Sequence, residues 1–218
     1  MLMPYRRVLI ILVVVFLAVV CWAGKNFVMP TAQPAKTYPA HDAHTDEGVT
    51  VALDPYDMAD KANAVFATHY NEVGYLPIFM IVTNDGDQPI SLNGMKAELI
   101  TADRTKILAA TEDDLYRRLS HPSHGPSPSP IPIPRKAKGS VSSKAVDEIQ
   151  NGLFAARAVE PHSTQAGFLF FDVSGISVPM AGAHFYLTGV HDAKGNELMY
   201  FEVPLEKYLS APAPAASK

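Results

Sequence analysis

Cysteine is almost missing from the 218 residues, and the single one, Cys21, sits inside an apolar run near the N-terminus. Whatever follows that run has no disulfide available, even in an oxidising compartment, and must be held by packing. The linear signatures of catalysis are absent too. There is no Gly-x-Ser-x-Gly, no glycine-rich phosphate loop and no His-Glu-x-x-His, so the motifs of the common hydrolases, P-loop enzymes and zinc peptidases are not here. No Asn is followed two places later by Ser or Thr; without an N-glycan acceptor, a bacterial envelope is favoured over a eukaryotic secretory route. Basic charge is scarce beyond residue 30, where 15 Lys and Arg face 22 Asp and Glu. A surface of that sign repels phosphate backbones and anionic headgroups, which argues against nucleic acid as a partner.

What is abundant is hydrophobicity at the start. Val8–Ala23, VLIILVVVFLAVVCWA, is free of charge between Arg6-Arg7 and Lys25. Such a run enters a bilayer, and basic residues ahead of it predict a cytoplasmic N-terminus with the remainder extracytoplasmic. Residues 1–28 therefore read as a single transmembrane anchor or a signal peptide. The anchor is the first reading, because the run exceeds the ~7–15 residues of a signal core and flanking Arg and Lys can snorkel. Cleavage after Ala23, which would release the domain to the periplasm, is the second. Lipidation of Cys21 is the third, and Val20 is too large for it.

Met29–Asp46, with Pro30, Pro34 and Pro39, reads as a semi-extended tether of about 3.1 Å per residue that holds the domain away from the bilayer. His41, Asp42, His44 and Asp46 cluster within it, a divalent-metal pattern that a solvated linker would leave without fixed geometry. The folded domain is expected over residues 47–210, with a disordered tail at 211–218.

Short strands separated by turns dominate that domain. Leu76–Thr83 and Gly167–Val173 are apolar on both faces, as central strands covered on two sides would be. Met95–Thr101 alternates, with Met95, Ala97 and Leu99 inward. Ala183–Val190 puts Phe185 and Leu187 on one side and His184, Tyr186 and Thr188 on the other. Glu197–Val203 should return as a strand with Met199, Phe201 and Val203 inward, after a hairpin loop at Asp192–Asn196. Ala64–Tyr70 fits either a strand or a helical turn. Thr111 and Asp114 form a capping box for a helix over Glu112–Leu119, and a second short helix is expected near Ser143–Phe154. Residues 120–143 interrupt the pattern with Pro122, Pro126, Pro128, Pro130, Pro132 and Pro134, followed by Arg135, Lys136 and Lys138. This reads as a long surface insertion, or as a polyproline II ligand.

Six or seven such strands point to an all-β fold, an antiparallel sandwich of two sheets with one or two short helices. LPIFMIVTNDGDQPISL, EPHSTQAGFLFFDV and FYLTGVHDAKGNELMYFEV together resemble the Ig-like extracytoplasmic domains of bacterial envelope and lipoprotein-type proteins. The shared pattern is a strand ending in Asn84, the turn Asp85-Gly86-Asp87, and a following strand opened by Pro89. A step from Pro161 to Phe170 completes it. The resemblance implies an Ig-like sandwich with adhesion or assembly roles and supplies no catalytic residues.

No catalytic, cofactor or metal residues are assigned, and the chain reads as a non-enzyme without cofactors. Asn84–Asp87 lacks the further oxygen ligands of a calcium loop. His121 and His124 are too few for a metal site. His69, His162 and His184 are distant in sequence, and His191-Asp192 fits turn chemistry. Phe168, Phe170, Phe171, Phe185, Tyr186, Tyr200 and Phe201 have the spacing of strand core. The first functional reading is a membrane-tethered extracytoplasmic binding or scaffolding module on the bacterial inner membrane, with an envelope protein as partner. The second is an accessory subunit of a membrane complex held through residues 8–23. The third is a hydrolase or metal-binding protein whose constellation of His69, His162, His184 and His191 is formed only by folding.

Overall fold

The computed structural model describes residues 27–121 and 141–211. The apolar run 8–23, residues 122–140 of the Pro-rich segment and residues 212–218 lie outside them. Among the described residues no helix is long and apolar enough to cross a membrane.

In chain order the described elements begin with β1 (Ala40–His44), β2 (Val49–Pro55), helix α1 (Ala59–Val65), β3 (Tyr75–Asn84) and the short β4 (Ile90–Ser91). Next come β5 (Lys96–Ile100), β6 (Lys106–Leu108), α2 (Glu112–Ser120), α3 (Ser143–Gly152) and β7 (Ala158–Val159). β8 (Ser163–Asp172), β9 (His184–Thr188), β10 (Phe201–Pro204) and α4 (Glu206–Leu209) complete them. The strands form two four-stranded sheets, ordered β1-β2-β3-β8 and β10-β9-β5-β6, plus a β4-β7 ribbon. Every pairing within them is antiparallel. The protein is mostly β, arranged as a sandwich of antiparallel sheets with short helices.

The two-faced apolar strands explain the layering. Side chains alternate along a strand, so β3 sends Ile78, Met80 and Val82 one way and Phe79 and Ile81 the other. The first set, with Leu169 and Phe171 of β8, packs between the sheets against Leu99, Phe185, Leu187 and Val203. The second set, with Phe168 and Phe170, packs outward against Phe66, Tyr70, Leu115 and Ile149 of the helical segments. The result is three layers: helices, first sheet, second sheet. β3 and β8 run side by side for ten residues, from Tyr75 opposite Asp172 to Asn84 opposite Ser163. Each fully buried Phe here contributes about 2–3 kcal/mol by removal from water.

The starts of α2 and α3 follow the sequence signals. Thr111 and Asp114 form the full capping box, and the Ser142 hydroxyl accepts from Ala145 N at 3.1 Å to open α3. Past α3 the chain crosses β8 closely: Phe154 N donates to Phe168 O at 3.0 Å. A Cβ on Gly167 would lie 2.5 Å from Phe154 Cα, so only glycine allows the crossing.

Three expectations are corrected. Residues 29–46 are not an extended tether: Ala35 and Ala40 are fully buried, and Ala40–His44 is the outer strand of the first sheet. Pro34 opens a single 3-10 turn, Ala35–Thr37, that lays the chain against β2 and β3, so proline here directs the chain onto the domain instead of holding it off. Glu197–Tyr200 does not continue β10, and Met199 is 71% exposed instead of inward. The helices number four among the described residues instead of one or two; α1, α2 and α3 supply the cover for the second apolar face of the first sheet, while α4 packs at β1. Of the ambiguous stretch Ala64–Tyr70, Ala64 and Val65 end α1 and Tyr70 opens a 3-10 turn, Tyr70–Val73, while Phe66–His69 between them is neither helix nor strand.

Candidate functional site

Unlike the first sheet, the second has no helical layer over its outer face among the described residues. Alternation along β5, β9 and β10 directs Ala97, Leu99, Phe185, Leu187, Phe201 and Val203 inward. The same geometry sends Glu98, Ile100, His184, Tyr186 and Glu202 outward. Register then sets them side by side: Glu202 is opposite Tyr186, and Tyr186 is opposite Glu98. The next row runs Pro204, His184, Ile100, Lys106.

Glu202 is the hub of this face. Its Oε1 accepts from the Tyr186 hydroxyl at 2.7 Å and lies 2.7 Å from His184 Nδ1. The Tyr186 bond first, and His184 after it, hold the Glu202 carboxyl below its usual pKa. The same bond, followed by burial, pushes the Tyr186 hydroxyl up to about 12. The His184 and Tyr186 rings stack at 6.4 Å, and Tyr200 leans on Tyr186 at 5.8 Å. Leu108, opposite Glu98 and 63% exposed, adds apolar surface. Lys106 pairs with Glu98 at 3.5 Å along the rim.

At the margin of this face the two sheets meet. Glu202 N donates to Asp42 Oδ2 at 2.9 Å, tying β10 to β1 across the sandwich. His44 lies 3.6 Å from the same carboxylate and stacks on Phe201 with ring centroids 4.0 Å apart. On the opposite margin Ala109 bridges Phe171. These two contacts tie the margins of the second sheet to the first.

The arrangement is chemically suited to recognition. A tyrosine between two carboxylates offers a π face and negative charge to a lysine or arginine side chain. The flanking Leu108 and Tyr200 supply apolar area of the kind that anchors protein interfaces.

The residues singled out from the sequence fall in different parts of the fold. Asp42 and His44 join the sheet margin, while His41 Nδ1 lies 2.6 Å from Tyr38 O. Asn84 is fully buried, and its amide donates to Gln88 O and Val159 O, which pins the turn to β7. Asp87 meets His162 at 3.1 Å, and Asp85 meets Lys36 at 3.5 Å, both on the surface. His69 Nδ1 lies 2.9 Å from Asn63 Oδ1, and His191 Nδ1 lies 3.1 Å from Gly189 O. The Asp192 carboxylate accepts from the Asn196 side chain, then from Asn196 N and Lys194 N, within its turn, and these bonds in that order keep its pKa low. Among the described residues no three His, Cys, Asp or Glu side chains gather as metal ligands. His124 and the prolines from Pro122 to Pro134 lie outside the described residues.

The Glu202–Tyr186–His184 grouping could not be read from the sequence. The outward positions of His184 and Tyr186 were legible from alternation, but pairing them with Glu202 needs the β9–β10 register. That register is set across a 12-residue connection, 189–200, far longer than a tight hairpin. No protein-family model and no curated protein matches the chain.

Proposed function

We propose that this chain is a membrane-tethered extracytoplasmic module of the bacterial envelope. In this reading an Ig-like sandwich binds or scaffolds a protein partner without catalysis, and the partner presents a basic, partly apolar surface. The observation that carries the reading is the unequal covering of the two sheets. Among the described residues the first is packed on both faces, while on the outer face of the second Glu98, Tyr186 and Glu202 are half-buried and Tyr200 is 49% exposed.

Strand order supports the Ig-like part. β3 and β8 are neighbours in one sheet, and β6-β5-β9-β10 make the other. The chain thus changes sheets between β3 and β5, between β6 and β8, and between β8 and β9. Ig sandwiches use this arrangement, with strands B and E paired and C′, C, F and G opposite. The uncharged run Val8–Ala23 supports the membrane and compartment parts.

Affinity capture from bacterial membranes tests the proposal in three arms: the intact chain, the Tyr186→Ala/Tyr200→Ala double variant, and a chain whose residues 8–23 are replaced by another apolar helix. A partner lost with the double variant and kept with the swapped helix supports a binding module. The reverse result supports an accessory subunit held in the bilayer. A partner retained in all three arms overturns the face as the binding site.

A further inference from the structure

We infer that the domain is seated on the bilayer with its helical layer toward the lipid and the open face of the second sheet turned away. This rests on the membrane reading of residues 8–23 and deepens it. The first observation is how soon after the apolar run the chain joins the fold. Phe27 is already part of the fold: its ring stacks on Phe66 at 5.9 Å, and it lies over Gly152 at the end of α3, where an added Cβ would come within 3.1 Å of its ring. Met29 and Ala32 continue along the same apolar cluster.

Only Gly24, Lys25 and Asn26 separate Ala23 from Phe27. Four residue steps reach at most about 14 Å. The headgroup layer on each side of the hydrocarbon core occupies about 5–8 Å. Phe27 must therefore lie in the interfacial zone or just outside it. Phe66 and α3 belong to the layer covering the first sheet, so that layer is the one brought to the membrane.

A second observation agrees. Val28, beside Phe27, is 69% exposed, and Met58, at the start of α1, is 60% exposed. Met58 lies two residues from Tyr56, whose ring contacts Phe66 at 6.2 Å, the residue on which Phe27 stacks. Unbranched and aliphatic side chains of this kind gain by entering the acyl boundary. The domain's acidic excess does not supply the attraction; the covalent link and the apolar contacts do. Sheet and helix layers are each about 10 Å deep, so the Tyr186 face stands roughly 20 Å further from the membrane.

The test uses the full chain carrying Cys21→Ser, reconstituted in phosphatidylcholine vesicles, with one new cysteine at a time: Val28→Cys, Met58→Cys or Met199→Cys. Each is labelled with an environment-sensitive fluorophore and exposed to lipids bearing a headgroup nitroxide. Quenching at positions 28 and 58 should exceed that at position 199 several-fold. A chain that floats with the vesicles but is quenched equally at all three positions overturns the seating and leaves the anchor standing. A chain that does not float overturns both.

Discussion

The guanidinium of Arg118 and the carboxylate of Asp172 form an ion pair that fastens the last turn of α2 to the end of β8. Arg118 also donates to Val73 O and Ser174 Oγ, each at 3.0 Å, and lies over the Tyr75 ring at 5.3 Å. Its side chain is only 9% exposed. Arg118→Met should therefore cost about 3 kcal/mol, since it strands a half-buried carboxylate and two acceptors. Asp172→Asn, which keeps an acceptor, should cost less. Urea unfolding with an unchanged slope measures both. A wild-type midpoint for Arg118→Met would mean the pair is worth no more than an exposed one.

Gly167→Ala tests the close crossing over β8. The new methyl would meet Phe154 backbone atoms at 2.5 and 2.8 Å. Backbone cannot rotate aside as a side chain can, so the cost should reach or exceed the ~1–3 kcal/mol of overpacking. Gly195→Ala has open space around it but a φ of +84°. It should cost only the strain of a left-handed backbone, about 1 kcal/mol. Thermal unfolding of the two variants separates contact from conformation.

The capping box of α2 gives a pH-dependent prediction. The Thr111 hydroxyl, then the Thr111 N–H, hold the Asp114 carboxyl below its usual pKa, with help from Arg117. A carboxyl whose folded pKa lies below its unfolded value stabilises fully above about 3.9 and loses that contribution as pH falls through the folded value. Thr111→Ala should cost about 1 kcal/mol at neutral pH, as loss of an N-cap does. The difference from wild type should shrink at acid pH, and urea titrations at both pH values decide it. A constant difference would remove the carboxyl from the explanation.

The parts of this fold legible in the sequence are those that depend on local pattern. β3 and β8 were legible because a run apolar on both faces fits a strand covered on two sides and little else. α2 was legible because Thr111 and Asp114 are correctly spaced before acids and then Arg117-Arg118. Register and long-range pairing were not legible. Nothing near Glu202 indicates that Tyr186 will be its cross-strand partner, and nothing near Ala40–His44 shows that a Pro-rich segment will supply a sheet edge. Proline spacing suggests a free tether, whereas burial of Ala35 and Ala40 determines the outcome. Alternation misplaces Met199 because it carries a strand period through a loop whose backbone does not follow the strand.

Tyr186→Phe isolates the hub of the open face. Losing the hydroxyl removes the larger of the two bonds that hold the Glu202 carboxyl below its usual value. The Glu202 titration, followed by carboxyl-carbon NMR, should move up toward the ordinary glutamate range, and the tyrosine titrating at about 12 should disappear. Because Glu202 is depressed in the folded state, its stabilisation exists above the unfolded pKa and fades as pH falls through the folded one. Tyr186→Phe should flatten that acid limb by lowering stability slightly at neutral pH and leaving it unchanged below the folded Glu202 pKa, a small effect because both groups keep contact with water. An unmoved Glu202 titration would mean the bond is not made in solution.

Glu148 sets the sharpest contrast between two substitutions at one site. It is 1% exposed, yet it is a carboxylate on α3. Its Oε1 accepts from Ala67 N at 2.5 Å and Thr68 N at 3.2 Å, closing the turn between α1 and the Tyr70–Val73 turn. Its Oε2 and the Tyr70 hydroxyl are buried without a well-formed hydrogen bond, and burial together with the Glu148 charge pushes the Tyr70 hydroxyl upward. Glu148→Ala would strand two backbone N–H groups and open a cavity, so a loss of about 3–4 kcal/mol is expected. Glu148→Gln keeps the acceptor for Ala67 and Thr68, replaces a buried charge with a neutral amide and offers the Tyr70 oxygen a donor. It should be neutral or stabilising, because a buried carboxylate without a cation carries a desolvation cost that the amide avoids. Chemical unfolding of both variants reads the difference directly. If Gln destabilises as much as Ala, the negative charge itself is required at this position.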